Sequence, residues 1–278
     1  MRKCIATGAF LLAGVSGAMA GGGDYGPPRV DWTGFYVGAH AGYGWGEWDG
    51  GLFTTAGCPN ACPQDAGYTD PFHTLSGNGW LGGLQLGYNL QRNSPWVFGL
   101  EADVSWTDIS ASDSFATDKH NPSVWDKKHD LKLDAFGTAR VRVGYAMGNL
   151  MPYLTGGLAW GKTSGDLAVS YYAPAANFPV GPPTGISGAS ADETHVGWTL
   201  GGGVEAMLGG GFSLKVEYLY VDLGEEGYNF TGGYVNNIAG TPNPNVPFDT
   251  DSFKSDLTFQ TVRVGINYKF GETRGPLK

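Results

Sequence analysis

Strict two-residue alternation is the feature that most restricts this chain. Val262, Val264, Ile266, Tyr268 and Phe270 alternate with Arg263, Gly265, Asn267 and Lys269. One face of that segment is wholly apolar and the other is polar or very small. Successive side chains of a strand point to opposite faces, and no helix has this period. Trp96, Phe98, Leu100, Ala102, Val104 and Trp106 alternate in the same way with Gly99, Glu101, Asp103 and Ser105. Leu133, Ala135, Ala139, Val141, Val143 and Tyr145 alternate with Asp134, Thr138, Arg140, Arg142 and Gly144. Leu84, Leu86, Tyr88 and Leu90 are set against Gln85, Gly87 and Asn89, and Phe212, Leu214, Val216, Tyr218 and Tyr220 against Ser213, Lys215 and Glu217. Further strands begin near Phe35, Tyr153 and Val196. That makes about eight, each read at roughly ten residues, the length a tilted strand needs to cross lipid.

A sheet with one apolar face must hide that face from water. In a soluble sandwich it would pack on a second sheet. In a membrane barrel it meets lipid while the polar face lines the lumen. Composition favours the barrel. There are 47 glycines in 278 residues, 13% of residues are aromatic, and only 15% are charged, against roughly 25% charged in ordinary soluble domains. Net charge is −9 and no run of Lys or Arg occurs, which removes nucleic acid as a partner. Beyond the first twenty residues no apolar run reaches the roughly 18–20 residues of a membrane-spanning helix.

Connections support closure. Long ones (47–78, 107–128, 172–193, 229–253) alternate with short ones (92–95, 147–151, 209–211), as in outer-membrane barrels with long external loops and short periplasmic turns. Aromatics gather at strand ends: Trp32 with Phe35, Tyr43 with Trp45, Trp96 with Trp106, and Tyr268 with Phe270. They read as two interfacial girdles. The expected fold is an all-β, antiparallel, up-and-down transmembrane barrel of about eight strands. An even number puts both termini on the periplasmic side.

The first twenty residues read as a secretory signal peptide. Arg2 and Lys3 precede a short apolar stretch, and Ala18-Met19-Ala20 is a cleavage signal of A-x-A type. Residues 21–31 then form a flexible periplasmic segment, 32–270 the barrel and 271–278 a short periplasmic tail. Cys4 leaves with the signal peptide. Cys58 and Cys62, an even pair on a turn-rich loop of an exported chain, are expected to form a disulfide.

Alternation places Glu101, Asp103, Arg140, Arg142, Glu205, Lys215, Glu217 and Arg263 on inward faces. A charge facing lipid instead would cost about 2–4 kcal/mol at the midplane. Both signs occur in similar number, so the lumen is read as a compact ion network. Glu101 is expected within reach of Arg140 or Arg142, and Glu217 within reach of Arg263 or another lumen base. An interior of eight strands is just wide enough for side chains to fill. The chain is therefore read as a non-enzymatic surface and interaction barrel. A narrow solute channel and a soluble lipocalin-like binding barrel are the alternatives.

Searches for other chemistry find little. Gly77-Asn78-Gly79-Trp80-Leu81-Gly82 fits G-x-G-x-x-G, but strand alternation follows where a nucleotide site needs a helix. His129 and Asp130 are adjacent, and adjacent strand residues face opposite sides. No catalytic residue, cofactor or metal site is assigned.

Three segments resemble a known family. Residues 31–38 (Asp31-Trp32-Thr33-Gly34-Phe35-Tyr36-Val37-Gly38) are similar to the opening strand of the small outer-membrane immunogenic, or porin-family, proteins of alphaproteobacteria. Residues 216–224 resemble their penultimate strand and 261–270 their closing strand. The resemblance implies an eight-stranded barrel like the membrane domain of OmpA, exposed as a surface antigen among outer-membrane lipid and lipopolysaccharide. It also implies that the barrel-assembly machinery reads the closing strand through Val262, Val264, Ile266, Tyr268 and Phe270. Some members are reported to bind haemin, which implies a haem or host ligand at external loops carrying His73 or His120. One departure is visible: members often end at the closing Phe, whereas here Gly271 to Lys278 follow Phe270.

Overall fold

Each strand is hydrogen-bonded antiparallel to the next, and the last closes on the first. This is seen in a computed structural model that describes residues 30–54, 69–70, 74–117, 124–172, 185–231 and 250–271. The strands are β1 (Gly34–Thr54), β2 (Thr69–Asp70), β3 (Leu75–Gln91), β4 (Trp96–Thr117), β5 (Val124–Tyr145), β6 (Leu150–Tyr172), β7 (Gly185–Gly209), β8 (Phe212–Thr231) and β9 (Thr250–Lys269). β2 is a two-residue appendage opposite Leu52 and Phe53 of β1. The other eight form the ring, sealed by β1–β9 pairing from Tyr36↔Lys269 to Thr54↔Asp251. Between the two aromatic levels each ring strand is paired on both sides, the condition for holding a sheet in lipid; beyond them the β7–β8 pairing stops at Trp198↔Asp222.

The short connections fall at 92–95, 146–149 and 210–211. The tightest is built by Gly209, Gly210 and Gly211, with φ of 104°, 60° and 86°, values that side chains with a Cβ rarely adopt. The long connections are shorter than the sequence reading has them, because the strands are longer. The eight run 17 to 25 residues rather than about ten. The barrel continues well past the length lipid requires.

That extra length obeys a reversed pattern. Between the two aromatic levels the outward face is apolar: Leu84, Leu86, Leu100, Val141, Leu154, Leu158, Leu200, Val216 and Val264 are all exposed. The rim beside the short turns carries Phe35 stacked on Tyr88, Trp96 on Tyr145, and Phe212 on Tyr268. The rim nearer the long connections carries Tyr43 on Trp80 and Trp198 on Tyr220, with Trp106 and Trp160 also exposed. Beyond that second rim Asp108, Lys128, Asp130, Lys132, Lys162 and Asp192 face outward. There Ile109, Leu131, Leu133, Phe136, Leu219, Val221, Leu223, Leu257 and Phe259 turn inward with Trp48 as one apolar cluster. A sheet that has left lipid must show polar groups to water and bury apolar ones.

Two expectations are corrected. Leu133 does not share the lipid-facing side of Val141 and Val143; it is fully buried in the lumen. The register against β6 slips between Leu133 and Ala135, so β5 carries one extra residue there. A bulge of this kind moves every following side chain to the other face. Trp32 does not belong to a girdle. It is 1% exposed and packs on Val97 and Met151 inside the short-turn mouth, with Val30, Ala146 and Met207 around it. Val30 and Asp31, placed by sequence in a free segment, are docked as well. The Lys269 ammonium donates to the Asp31 carbonyl, and the Trp32 amide donates to Gln91 Oε1 at 3.1 Å.

Candidate functional site

The lumen between the two apolar layers is where the chain concentrates its buried chemistry. Glu101 and Asp103 come from β4, Arg140 and Arg142 from β5, Glu205 from β7, Lys215 and Glu217 from β8, and Arg263 from β9. None is more than 5% exposed. Two facts of the local sequence bring them together. Each is an i, i+2 neighbour of another or of a Gly, Ser or Thr on the same inward face. Glycines on neighbouring inward positions also leave the long side chains room to lie across the barrel.

Glu101 is the hub. It accepts from the Arg140 guanidinium, from Lys215 Nζ at 2.9 and 3.0 Å, from Arg142 Nη1 at 3.4 Å and from the Tyr36 hydroxyl at 2.6 Å. Asp103 accepts from Arg140 Nη2 at 2.9 Å, from Arg263 Nη1 at 3.0 Å and Nη2 at 3.2 Å, and from the Thr138 hydroxyl. Glu217 faces Arg263 Nη2 at 2.6 Å and Arg140 Nη1 at 3.1 Å, and accepts from the Tyr153 hydroxyl at 2.8 Å. Glu205 holds Arg142 Nη2 at 2.7 Å and accepts from Ser213 and Asn267. The Arg142 guanidinium also lies 4.0 Å from the Tyr153 ring centroid, a cation–π contact.

The pairing runs both along the sheet and across the lumen. Glu101 and Arg140 are register partners on adjacent strands, as are Glu217 and Arg263. Glu205 and Lys215 are register partners too, yet Lys215 reaches β4 instead, and Glu205 takes Arg142 from β5. Arg263 likewise spans from β9 to Asp103 on β4. Four carboxylates and four cations thus tie β4, β5, β7, β8 and β9 into one balanced cluster. Burying such charges is costly in itself. The multiple hydrogen bonds to each group are what make the arrangement tenable.

Other residues singled out by sequence are scattered. Cys58, Cys62, His73 and His120 lie outside the described residues. The G-x-G-x-x-G segment lies within β3 and forms no phosphate-cradling loop. His129 sits in β5 opposite Asp113 and Leu167. His195 is buried, with Nε2 2.9 Å from the Thr163 hydroxyl. Sequence reasoning missed Tyr36, Tyr153 and His40 as parts of the lumen; it placed Gln85 and Asn267 on the polar face without assigning them a role. Tyr36 was legible, since it stands between outward-facing Phe35 and Val37 and so must point inward.

His40 Nε2 lies 2.8 Å from Ser105 Oγ, a contact that resembles half of a hydrolytic triad. Both groups are sealed, at 5% and 0% exposure, and no carboxylate is recorded against His40 Nδ1 among the described residues. Among the described residues no group of three or more His, Cys, Asp and Glu is arranged to hold a metal ion.

Comparison with known proteins adds the following. The family model "Outer membrane protein beta-barrel domain" matches residues 7–270. The 31 kDa outer-membrane immunogenic protein of Brucella melitensis is 34% identical over 240 residues, covering 86% of this chain and 84% of that protein. The 22 kDa outer membrane protein of Rhizobium leguminosarum is 25% identical over 245 residues, covering 87% and 80%. Among solved structures, the outer membrane protease OmpT of Escherichia coli covers 87% of this chain and 98% of its own, at 9% identity and a TM-score of 0.46.

Proposed function

This chain belongs to the outer membrane protein β-barrel family, and from that premise we propose that it is a non-enzymatic, non-conducting surface barrel. Its lumen is packing material, and its interactions are made by the long connections. One observation carries the reading. The eight ionisable lumen groups are at most 5% exposed and mutually paired, and apolar layers lie both above and below them. A diffusion pore needs a wetted path with groups that solvent reaches. A hydrolase needs its nucleophile open to substrate. The sealed lumen favours neither.

The chain is exported after cleavage following Ala20, with both termini at the short-turn end in the periplasm. The barrel-assembly machinery reads the closing strand, from Val262 to Phe270. Cys58 and Cys62 form a disulfide in the first long connection, as an even pair in an oxidising compartment does. Outer-membrane lipid and lipopolysaccharide surround the two girdles. A host or haem ligand would meet the long connections, which carry His73 and His120.

A planar-bilayer recording on the purified, heat-modifiable barrel tests the central point. The expected trace at neutral pH has no resolvable steps. Reproducible single-channel steps from the folded form would replace this reading with that of a narrow channel.

A further inference from the structure

The charged cluster balances only while one further lumen residue stays neutral. His40 projects inward from β1 and is 5% exposed. Its Nε2 lies 2.8 Å from Ser105 Oγ and 3.4 Å from Arg263 Nη1. Arg263 can only donate, so its contact is a hydrogen bond only in the neutral tautomer whose proton sits on Nδ1, where the Nε2 lone pair accepts. The ring packs against Gly83, where a Cβ would stand 2.8 Å from Nε2 as well as against the Val104 carbonyl.

Every charged group facing this ring is accounted for. The charges that act on the ring come from Asp103 of β4, Lys215 and Glu217 of β8 and Arg263 of β9, and Ser105 of β4 is the hydroxyl beside it. Asp103 is already held by Arg140, Arg263 and Thr138. Glu217 is already held by Arg263, Arg140 and Tyr153. Neither is idle for a new cation.

We propose that His40 is an acid-sensing device of the lumen, its protonation setting a ninth, uncompensated charge against Arg263 and loosening the network that seals the barrel. The proton added to Nε2 removes the lone pair that Arg263 uses. It also turns the 3.4 Å approach into a cation–cation contact in a site of low dielectric, where such a contact is strongly unfavourable. Arg263 must then release His40 or share Asp103 with it. Either move withdraws hydrogen bonds from Asp103 and Glu217. The proposal rests on the sealed-lumen reading at neutral pH. It adds that the seal is conditional.

The test compares the full-length barrel with H40Q, which keeps a polar side chain and cannot titrate. The readout is the heat-modification midpoint on gels at pH 7.5 and pH 4.5. The wild-type midpoint is expected to fall by roughly 5 °C or more beyond the fall seen in H40Q. Equal falls in the two proteins overturn the proposal, because they assign the acid effect to surface carboxylates. Should H40Q fail to assemble, the imidazole signals of the wild-type barrel are followed by NMR over the same range. The His40 signal, told from that of the also buried His195 by its persistence in H195Q, supports the proposal if it titrates together with the loss of thermal stability and overturns it if it stays unchanged until unfolding. Bilayer recordings keep this separate from the parent reading. Steps at neutral pH would defeat the sealed lumen, whereas steps confined to acid and absent in H40Q are the outcome expected here.

Discussion

Below the level of Trp106 and Trp160 the inward face of the sheet is charged and the outward face apolar; above it the two exchange. Glu101, Arg140, Lys215 and Arg263 fill the lower lumen, and Leu133, Phe136, Val221 and Phe259 fill the upper one. The strands are continuous through both levels, so the difference is not one of fold. It follows from what lies outside. Against lipid a polar side chain can only go inward, and the lumen becomes a place where charges must satisfy one another. Against water the same sheet is an ordinary soluble barrel, and its interior becomes an ordinary core. The lower layer is specific because each charge has named partners. The upper layer is held by shape, with Phe136 and Phe259 edge-on at 4.9 Å between centroids.

Substitutions that ask each layer to tolerate a loss probe this contrast. The largest effect is expected in the charged layer. Arg142→Ala leaves Glu205 short of its cation and removes one donor to Glu101, at a cost of about 3–5 kcal/mol for a fully buried partner. It should show as an earlier heat-modification transition. Arg142→Met combined with Glu205→Leu should recover most of that loss, because removing both charges of a buried pair is often neutral or better. If the double change is as damaging as the single, the layer is not governed by charge balance. In the upper layer, Phe259→Ala opens a cavity beside Phe136, expected to cost about 3 kcal/mol. That loss should stay the same in high and low salt, and a strong salt dependence would mean that the apolar layer is not electrically separate. The smallest effect is expected on the outward face of the upper layer. Lys132 lies 3.5 Å from Asp134, with both side chains exposed. Lys132→Ala should move stability by less than about 0.5 kcal/mol in urea unfolding.

How much of this is readable in the sequence depends on the layer. Within the lipid band, alternation puts Glu101, Asp103, Lys215 and Glu217 on the inward face, where they are buried, because the medium outside disfavours the alternative. Above it the rule that polar means inward fails. The crossing is written in β8, where Tyr218-Leu219-Tyr220-Val221 is a continuous apolar run: Leu219 and Val221 are buried while Tyr218 and Tyr220 face out. At such a run the apolar residues pass from one face to the other, and that marks where lipid ends. The sequence reading took the run as part of the lipid-facing pattern and so ended the strands early. The bulge beside Asp134 was not readable at all, since one inserted residue is invisible until the register of the neighbouring strand is known. Choice of ion partners was only half readable. Adjacent-strand pairs such as Glu217 with Arg263 follow from register, but Lys215 passing over Glu205 to reach Glu101 depends on how narrow the ring is.

The length of the strands has a consequence of its own. β4 runs eleven residues past Trp106 to Thr117, which at a rise of roughly 3.3 Å per residue and a tilt near 40° lifts its tip about 28 Å above the bilayer surface. A stalk of that height is stiffened by its own core rather than by the membrane. What varies at the tip is thus mechanically insulated from what anchors the base.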